Sequence, residues 1–357
     1  MSKSDDRRST FPDAGRDIHR GPMSDELEPT TPAEAVEWYL DERKSEVSEK
    51  THQNHGYRLK QFVEFCSEQE IENLNELSGR DLHRFRTWRS EDVKPVTLHG
   101  NLQTLRVFLE FCAAIEAVRP GMRERVKLPN IEKAEESRDV HIEKERAEEI
   151  LDYLERFSYA SRDHVVMAIL WHTGIRLGSL RAFDVDDFDP NEKCLDLRHR
   201  PDTGTPLKNK QSAERSIAVG SHYCDVIQDY IDHTRDDVHD DNGRSPLITS
   251  SQGRLSDPAI RESIYRLTQP CDIGECPHDE DPQTCKARQH NQRAACPSSH
   301  SPHDIRRGSI TNHLRTGTPQ EVVSDRANAS KEVLEQHYDE RTEREKMHIR
   351  RDFIEGA

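Results

Sequence analysis

The sequence predicts a mainly α-helical protein with a small β-sheet, arranged as two domains. Its length of 357 residues exceeds one domain of about 150 residues and suits two. Apolar residues recur at helical spacing through most of the chain, whereas strand-like segments are confined to Cys194 to Leu197 and Ser216 to Val219. Hydrophobic residues make up 32% and charged residues 34%, so the cores must be modest and the surface dense in charge.

Taken in order, residues 1–29 carry Asp, Arg, Ser, Gly and Pro with few large apolar groups, and are expected to be a disordered tail. The first domain, 30–127, opens at Thr31 with Pro32 at a first helical position. Helices are expected over 33–44, 51–68, 80–89 and 96–112, forming a bundle of four. The second places Leu59, Phe62, Val63 and Cys66 on one stripe, and the fourth places Leu98, Leu102, Leu105, Leu109 and Cys112 on another. Apolar periodicity stops at Pro129, and the charged run Glu132 to Asp139 makes 128–139 a linker. The second domain, 140–340, starts with helices over 143–157 and 162–173, the latter apolar enough for a core element. The two strand segments follow, joined by a turn-rich basic loop, and helices return over 222–235, 258–268, 304–315, 319–326 and 331–338. A Cys-rich insertion occupies 271–300, and 341–357 form a C-terminal tail.

The formal charge of −16, from 68 acids against 52 bases, argues at face value against a nucleic-acid partner. Of the bases, 14 are Lys and 38 are Arg. Such acid-rich, Lys-poor composition resembles that of proteins from salt-loving archaea, whose carboxylates hold a hydration shell. Against that background two basic islands stand out: residues 80–130 carry ten Lys or Arg against six acids, and 285–315 carry six against one. The first contains Arg80, Arg84, Arg86, Arg89 and Lys94, which are either solvated surface or, should the partner be DNA, candidates to grip phosphates without reading bases. The longest apolar stretch, Val165 to Trp171, falls far short of a bilayer span of roughly 20 residues. No membrane association and a cytoplasmic location are therefore expected.

Four places in the second domain concentrate groups suited to phosphate. Arg176 stands where one helix ends at Gly174 and another begins; Lys208 and Lys210 lie in the strand-to-strand loop, as a flexible arm. His303 and Arg306 are three apart on one helix and project from one face. Tyr338 closes a short helix 32 residues after Arg306. As an ordered set these residues resemble the tyrosine recombinase, or phage integrase, family: Thr173, Gly174, Arg176 and Leu180 match one box, and His303 with Arg306 another. Lys210 stands five positions before Arg215, as the family's hairpin Lys commonly does, which favours it over Lys208.

The resemblance implies a helical, SAM-like core-binding domain followed by the mixed α/β catalytic domain of that family. It also implies a covalent 3′-phosphotyrosyl intermediate on Tyr338, with neither metal nor cofactor needed for catalysis. Arg176 and Arg306 would match transition-state charge on the phosphate oxygens with paired N–H donors, and His303 would donate a further bond or handle a proton. A phenol of ordinary pKa about 10 must lose its proton as it attacks, and Lys210 is the candidate general acid for the leaving 5′ oxygen. Two positions depart from the family. Ser179 stands where Glu is usual, and Asn328 stands where a second His or Trp is usual; an amide can donate to a phosphate oxygen without carrying charge, which bears on rate and not on reaction type.

Cys271, Cys276, Cys285 and Cys296 fall in one polar loop with His278, His290 and His300 among them, and a structural zinc is expected there. The remaining four cysteines, Cys66, Cys112, Cys194 and Cys224, suit core positions. The expected partner is double-stranded DNA, with a homotetramer at synapsis. A type IB topoisomerase-like nicking and closing enzyme, and a zinc-stabilised DNA-binding protein without catalysis, are the rival readings.

Overall fold

A computed structural model describes residues 27–131, 140–281, 283–339 and 341–355. The chain divides into two compact units, Met1–Arg138 and Asp139–Ala357. Most of the expected N-terminal tail and the segment 132–139 of the expected linker lie outside the described residues. Among the described residues, no helix is long and apolar enough to cross a membrane. The fold class matches the expectation: helices dominate, and the strands are few and short.

The first unit holds helices α1 (Pro32–Arg43), α2 (Glu49–Glu68), α3 (Gly79–Asp92) and α4 (Pro95–Ala114), with one further turn at Met122–Arg125. Local chemistry sets their starts. Thr31 and Ser78 cap α1 and α3 in reciprocal boxes with Glu34 and Asp81, so backbone N–H groups that would otherwise lack partners are satisfied. The α4 stripe is buried as expected, but on α2 it is Phe65 that is buried while Val63 stays half-buried. Phe65 turns inward because it stacks edge-on against Phe85, 5.4 Å between centroids. Leu27 to Thr30 are also tied down, contrary to the tail expected through residue 29. Asn75 donates to the Leu27 carbonyl at 3.1 Å, and the Leu74 N–H donates to the Thr30 carbonyl at 2.9 Å.

In the second unit, helix Lys144–Phe157 packs against Arg162–Thr173, which is buried along nearly its whole length. Gly174 ends that helix with φ of 62°, a left-handed value that suits glycine. The expected strand pair is present as β2 (Cys194–Leu197) and β3 (Arg215–Ala218), and a third antiparallel strand, β1 (Phe188–Asp189), borders β2. Leu195 pairs with Ile217 across the sheet, and both are buried. Helix Ser221–Asp229 passes into a wider turn at Tyr230–Thr234, a short hairpin follows at Thr249–Ser250 and Gly253–Arg254, and helix Asp257–Thr268 completes this layer.

Helix Pro302–Arg315 then packs on Arg162–Thr173, where Gly308 removes any side chain from the contact with Ile142 and Trp171. Ile310 and Leu314 meet Val323, Ala327 and Leu334 from helices Gln320–Ala327 and Lys331–His337, together with Ala329 between those helices and Tyr338 at the end of the second. This small second core seats the Tyr338 ring beside the helix that carries Arg306. The expected C-terminal tail contains a helix, Glu343–Glu355, and Arg341 before it donates to the Leu314 carbonyl at 2.9 Å while pairing with Asp339.

Candidate active site

Arg306 projects from helix Pro302–Arg315 and is only 2% exposed. Its Nη1 donates to the carbonyls of Gly174 at 2.6 Å and Ala327 at 2.7 Å, and its guanidinium lies within the electrostatic reach of Tyr338. Arg176, at the start of helix Leu177–Ala182, donates to the Asn328 carbonyl at 3.0 Å. Tyr338 also lies within the electrostatic reach of Arg176. Tyr338 is 6% exposed, and its backbone is fixed by Thr311 Oγ1 donating to the Tyr338 carbonyl at 3.1 Å. Two guanidinium groups and the phenol, distant in sequence, thus meet in one place.

His303 lies nearer solvent at the rim of this group. Desolvation first, then the charges of Arg306, Arg307 and Arg176, hold its imidazole below the ordinary histidine range, so the neutral ring is favoured. A neutral imidazole both donates and accepts hydrogen bonds, which suits it to pass a proton.

Two arginines that served in the sequence only as spacing markers, or not at all, complete the cluster. Arg215, at the start of β3, donates from Nε and Nη2 to the Arg326 carbonyl at 3.2 and 2.8 Å. Burial and the neighbouring Arg306 push its guanidinium down to about 10, with Arg176 and Arg326 adding to the effect and Asp325 opposing it. Arg326 in turn donates to the carbonyls of Ala218 at 2.7 Å and His172 at 3.1 Å. Their signal in the sequence was only positional: a basic residue leading into a strand, and another two before Asn328.

The strand-to-strand loop is docked, in contrast to the flexible arm expected of it. Asn209 Nδ2 donates to Asn328 Oδ1 at 2.6 Å, and Asn328 Nδ2 donates to the Ser212 carbonyl at 3.2 Å. Both halves of the Asn328 amide are thereby engaged with the loop. Lys208 and Lys210 are exposed, and Lys210 opens a short turn, Lys210–Ala213, with φ of 53°.

The four cysteines expected to hold zinc do not converge. Among the described residues no three His, Cys, Asp or Glu side chains come together to hold a metal ion, and each of the four is a free thiol. Polar contacts hold the segment instead. Gln269 Nε2 donates to the Ala287 carbonyl at 2.7 Å, Arg293 donates to Gln269 Oε1 at 2.9 Å, and Arg288 donates to the Cys271 carbonyl at 3.0 Å. Of the other cysteines, Cys66, Cys112 and Cys224 are buried as expected, whereas Cys194 is half-exposed. Burial pushes the Cys66 thiol up to about 12.

In the first unit Arg80, Arg84 and Lys94 are exposed and Arg86 is half-buried. Arg84 pairs with Asp81 at 3.5 Å and Arg89 with Asp92 at 3.7 Å, so part of this island's positive charge is offset locally. Arg89 keeps only 15% of its side chain exposed, which makes it the least available of the five expected to grip DNA.

Residues 37–115 match the profile of the phage integrase N-terminal SAM-like domain. Among curated relatives, tyrosine recombinase XerC of Halalkalibacterium halodurans is 23% identical over 289 residues, covering 76% of this chain and 80% of that protein. The XerC of Staphylococcus aureus is 25% identical over 192 residues, covering 52% of this chain, so the chain spans only 58% of that relative's length. Two solved structures share the fold at 12% identity. The Tn1549 transposon integrase in complex with circular intermediate DNA has a TM-score of 0.63, covering 91% of this chain and 100% of that one. A lambda integrase dimer bound to a COC′ core site has a TM-score of 0.62, covering 88% and 79%. Residues 141–344, more than half of the chain and all of the cluster just described, match the phage integrase family, and the chain belongs to it.

Proposed function

We propose that the chain is a site-specific DNA recombinase, an integrase, that cleaves and rejoins duplex DNA through a covalent 3′-phosphotyrosine on Tyr338. What supports this reading is that Arg306 and Arg176 donate to the adjacent carbonyls of Ala327 and Asn328, with Tyr338 packed in the small core beside the Arg306 helix and within electrostatic reach of both guanidinium groups. A phosphodiester there would be gripped by the two guanidinium groups as the Tyr338 oxygen attacks phosphorus. The O–P bond to tyrosine forms, the bond to the 5′ oxygen breaks, the phenol proton leaves by way of His303 or water, and Lys210 protonates the departing oxygen. Resealing reverses each transfer when the 5′ hydroxyl of a second strand attacks.

Double-stranded DNA is the proposed substrate, with Arg80, Arg84, Arg86 and Lys94 contacting phosphates and Arg89 contributing least. Exchange between two duplexes calls for four protomers at synapsis, in the cytoplasm where chromosomal DNA is accessible. No step is routed through a metal. About one equivalent of bound zinc, lost when Cys271 and Cys276 become Ser, would show that the loop rearranges around an ion. Incubation with a nicked suicide duplex tests the main reading: it should trap a protein–DNA adduct that vanishes in Tyr338→Phe. No adduct with cognate DNA would leave the binding-only reading, and relaxation of plasmids lacking a recombination site would favour a topoisomerase.

A further inference from the structure

We propose that Asn209 and Asn328 form an amide latch that positions the Lys210 loop for protonation of the leaving oxygen, an inference that rests on the strand-cleavage reading above. The two contacts cross 119 and 116 residues of sequence, at 2.6 and 3.2 Å, and join the loop to the peptide segment that holds the site's arginines. The Ala327 carbonyl accepts from Arg306 and the Asn328 carbonyl accepts from Arg176, so one short segment registers both guanidinium groups and the loop. Lys210 directly follows Asn209, and its φ of 53° is a conformation a lysine adopts at a cost, sustained when surrounding contacts fix the loop. Ser212 Oγ donating to the Asn209 carbonyl at 2.6 Å closes the turn between the two latch points. The segment that commonly carries a charged or aromatic phosphate donor here carries a residue whose hydrogen bonds run to the loop instead. Asn209 and Asn328 are therefore positioning residues acting through Lys210.

The test uses the full chain and two suicide duplexes, one with oxygen and one with sulfur at the bridging 5′ position of the scissile phosphate. A thiol of pKa about 8.5 leaves without being protonated, so the sulfur duplex bypasses the general acid. Asn209→Ala and Asn328→Gly, the latter keeping left-handed backbone freedom, should each slow cleavage of the oxygen duplex on the order of 10- to 100-fold. On the sulfur duplex both should stay within about threefold of the unmodified protein, as Lys210→Ala should, while Arg176→Ala stays slow on both. Their double variant should be no slower than either single one, since both remove one device. Equal slowing on both duplexes, or no slowing on either, overturns the latch. An unmodified protein that cleaves neither cognate duplex fails at the level of the proposed function, which is a separate result.

Discussion

Gly308→Ala sets two effects of opposite sign against each other, and the structure decides between them. Gly308 lies inside helix Pro302–Arg315, two residues after Arg306. Helix propensity alone favours alanine there by about 1 kcal/mol. The new methyl group, however, would sit closer than 3.0 Å to the Ile142 carbonyl oxygen and to Ile142 Cγ2, and 3.1 Å from the Trp171 ring. A backbone carbonyl cannot swing aside as a side-chain tip can. Relief requires moving Ile142 off the helix, which stretches the bond from the Ile142 N–H to the Asp304 carbonyl, now 3.3 Å. Overpacking of this kind costs about 1–3 kcal/mol and a lost hydrogen bond about 1 kcal/mol more. The net expectation is a destabilisation of about 1–3 kcal/mol, or a fall in Tm of roughly 5 °C for a unit of this size. Because the displaced helix carries Arg306, suicide-duplex cleavage should fall as well, even below the new Tm. Thermal melting monitored by circular dichroism reads the first effect, and adduct formation at 25 °C the second. A Tm that rises, as propensity alone requires, would refute the packing argument.

Other perturbations separate structural charge from chemical charge. Tyr338→Phe keeps the ring in its small core and should lower Tm by no more than about 2–4 °C while abolishing the covalent adduct; retention of any adduct would show another nucleophile. Asp184→Asn should be far more damaging to folding, since Arg244 and Arg254 both pair with that carboxylate; about 3–5 kcal/mol is expected from denaturant melts, and a shift under 1 kcal/mol would sink the view that this network is buried and coupled. Acid should also unfold the second unit. Burial holds His164 and His172 at about 4, and each ring accepts a backbone N–H, from Ala160 at 3.3 Å and from Gly220 at 3.2 Å. The unfolded chain therefore takes up protons first as pH falls below about 6.5, and stability declines between there and about 4 with a slope approaching ~1.4 kcal/mol per pH unit for each histidine. Denaturant melts at pH 7, 6 and 5 check this, and a flat profile would contradict it.

Residues proposed to serve a single chemical demand are legible in the sequence itself. Arg176, His303, Arg306 and Tyr338 are spaced so that no local periodicity explains them together, and the fold brings the two arginines within electrostatic reach of both Tyr338 and His303. Less legible are residues whose partners lie far along the chain. Asn328 invites a reading as a phosphate donor, yet its amide is used by Asn209 and Ser212, a pairing that no spacing within its own helix announces. The cysteine loop is hard to read for the opposite reason: the residue types suggest a metal, and the contacts from Gln269, Arg288 and Arg293 that hold the segment leave no mark in the spacing. Val63 and Phe65 show the limit of phase counting, because a stripe two residues wide leaves the choice to the partner helix, and Phe85 makes it.

The second unit uses arginine in two ways, and the contrast bears on the proposal that one cluster binds an anion. Arg200 grips Asp187 through two bonds at 2.8 and 2.6 Å, and Arg254 bridges Asp184 and Asp240, so these guanidinium groups are neutralised where they stand. Around Tyr338 the partners are peptide carbonyls: Gly174 and Ala327 for Arg306, Asn328 for Arg176, Arg326 for Arg215, Ala218 and His172 for Arg326. A carbonyl orients a guanidinium as well as a carboxylate does but leaves its charge in place. Several such charges held together repel one another, which is why burial and mutual repulsion drive the Arg215 guanidinium down. In the proposed reaction that repulsion would be relieved as a phosphate enters, so part of the cost of assembling the site would return as affinity for the anion, and most strongly for the transition state in which its charge is greatest.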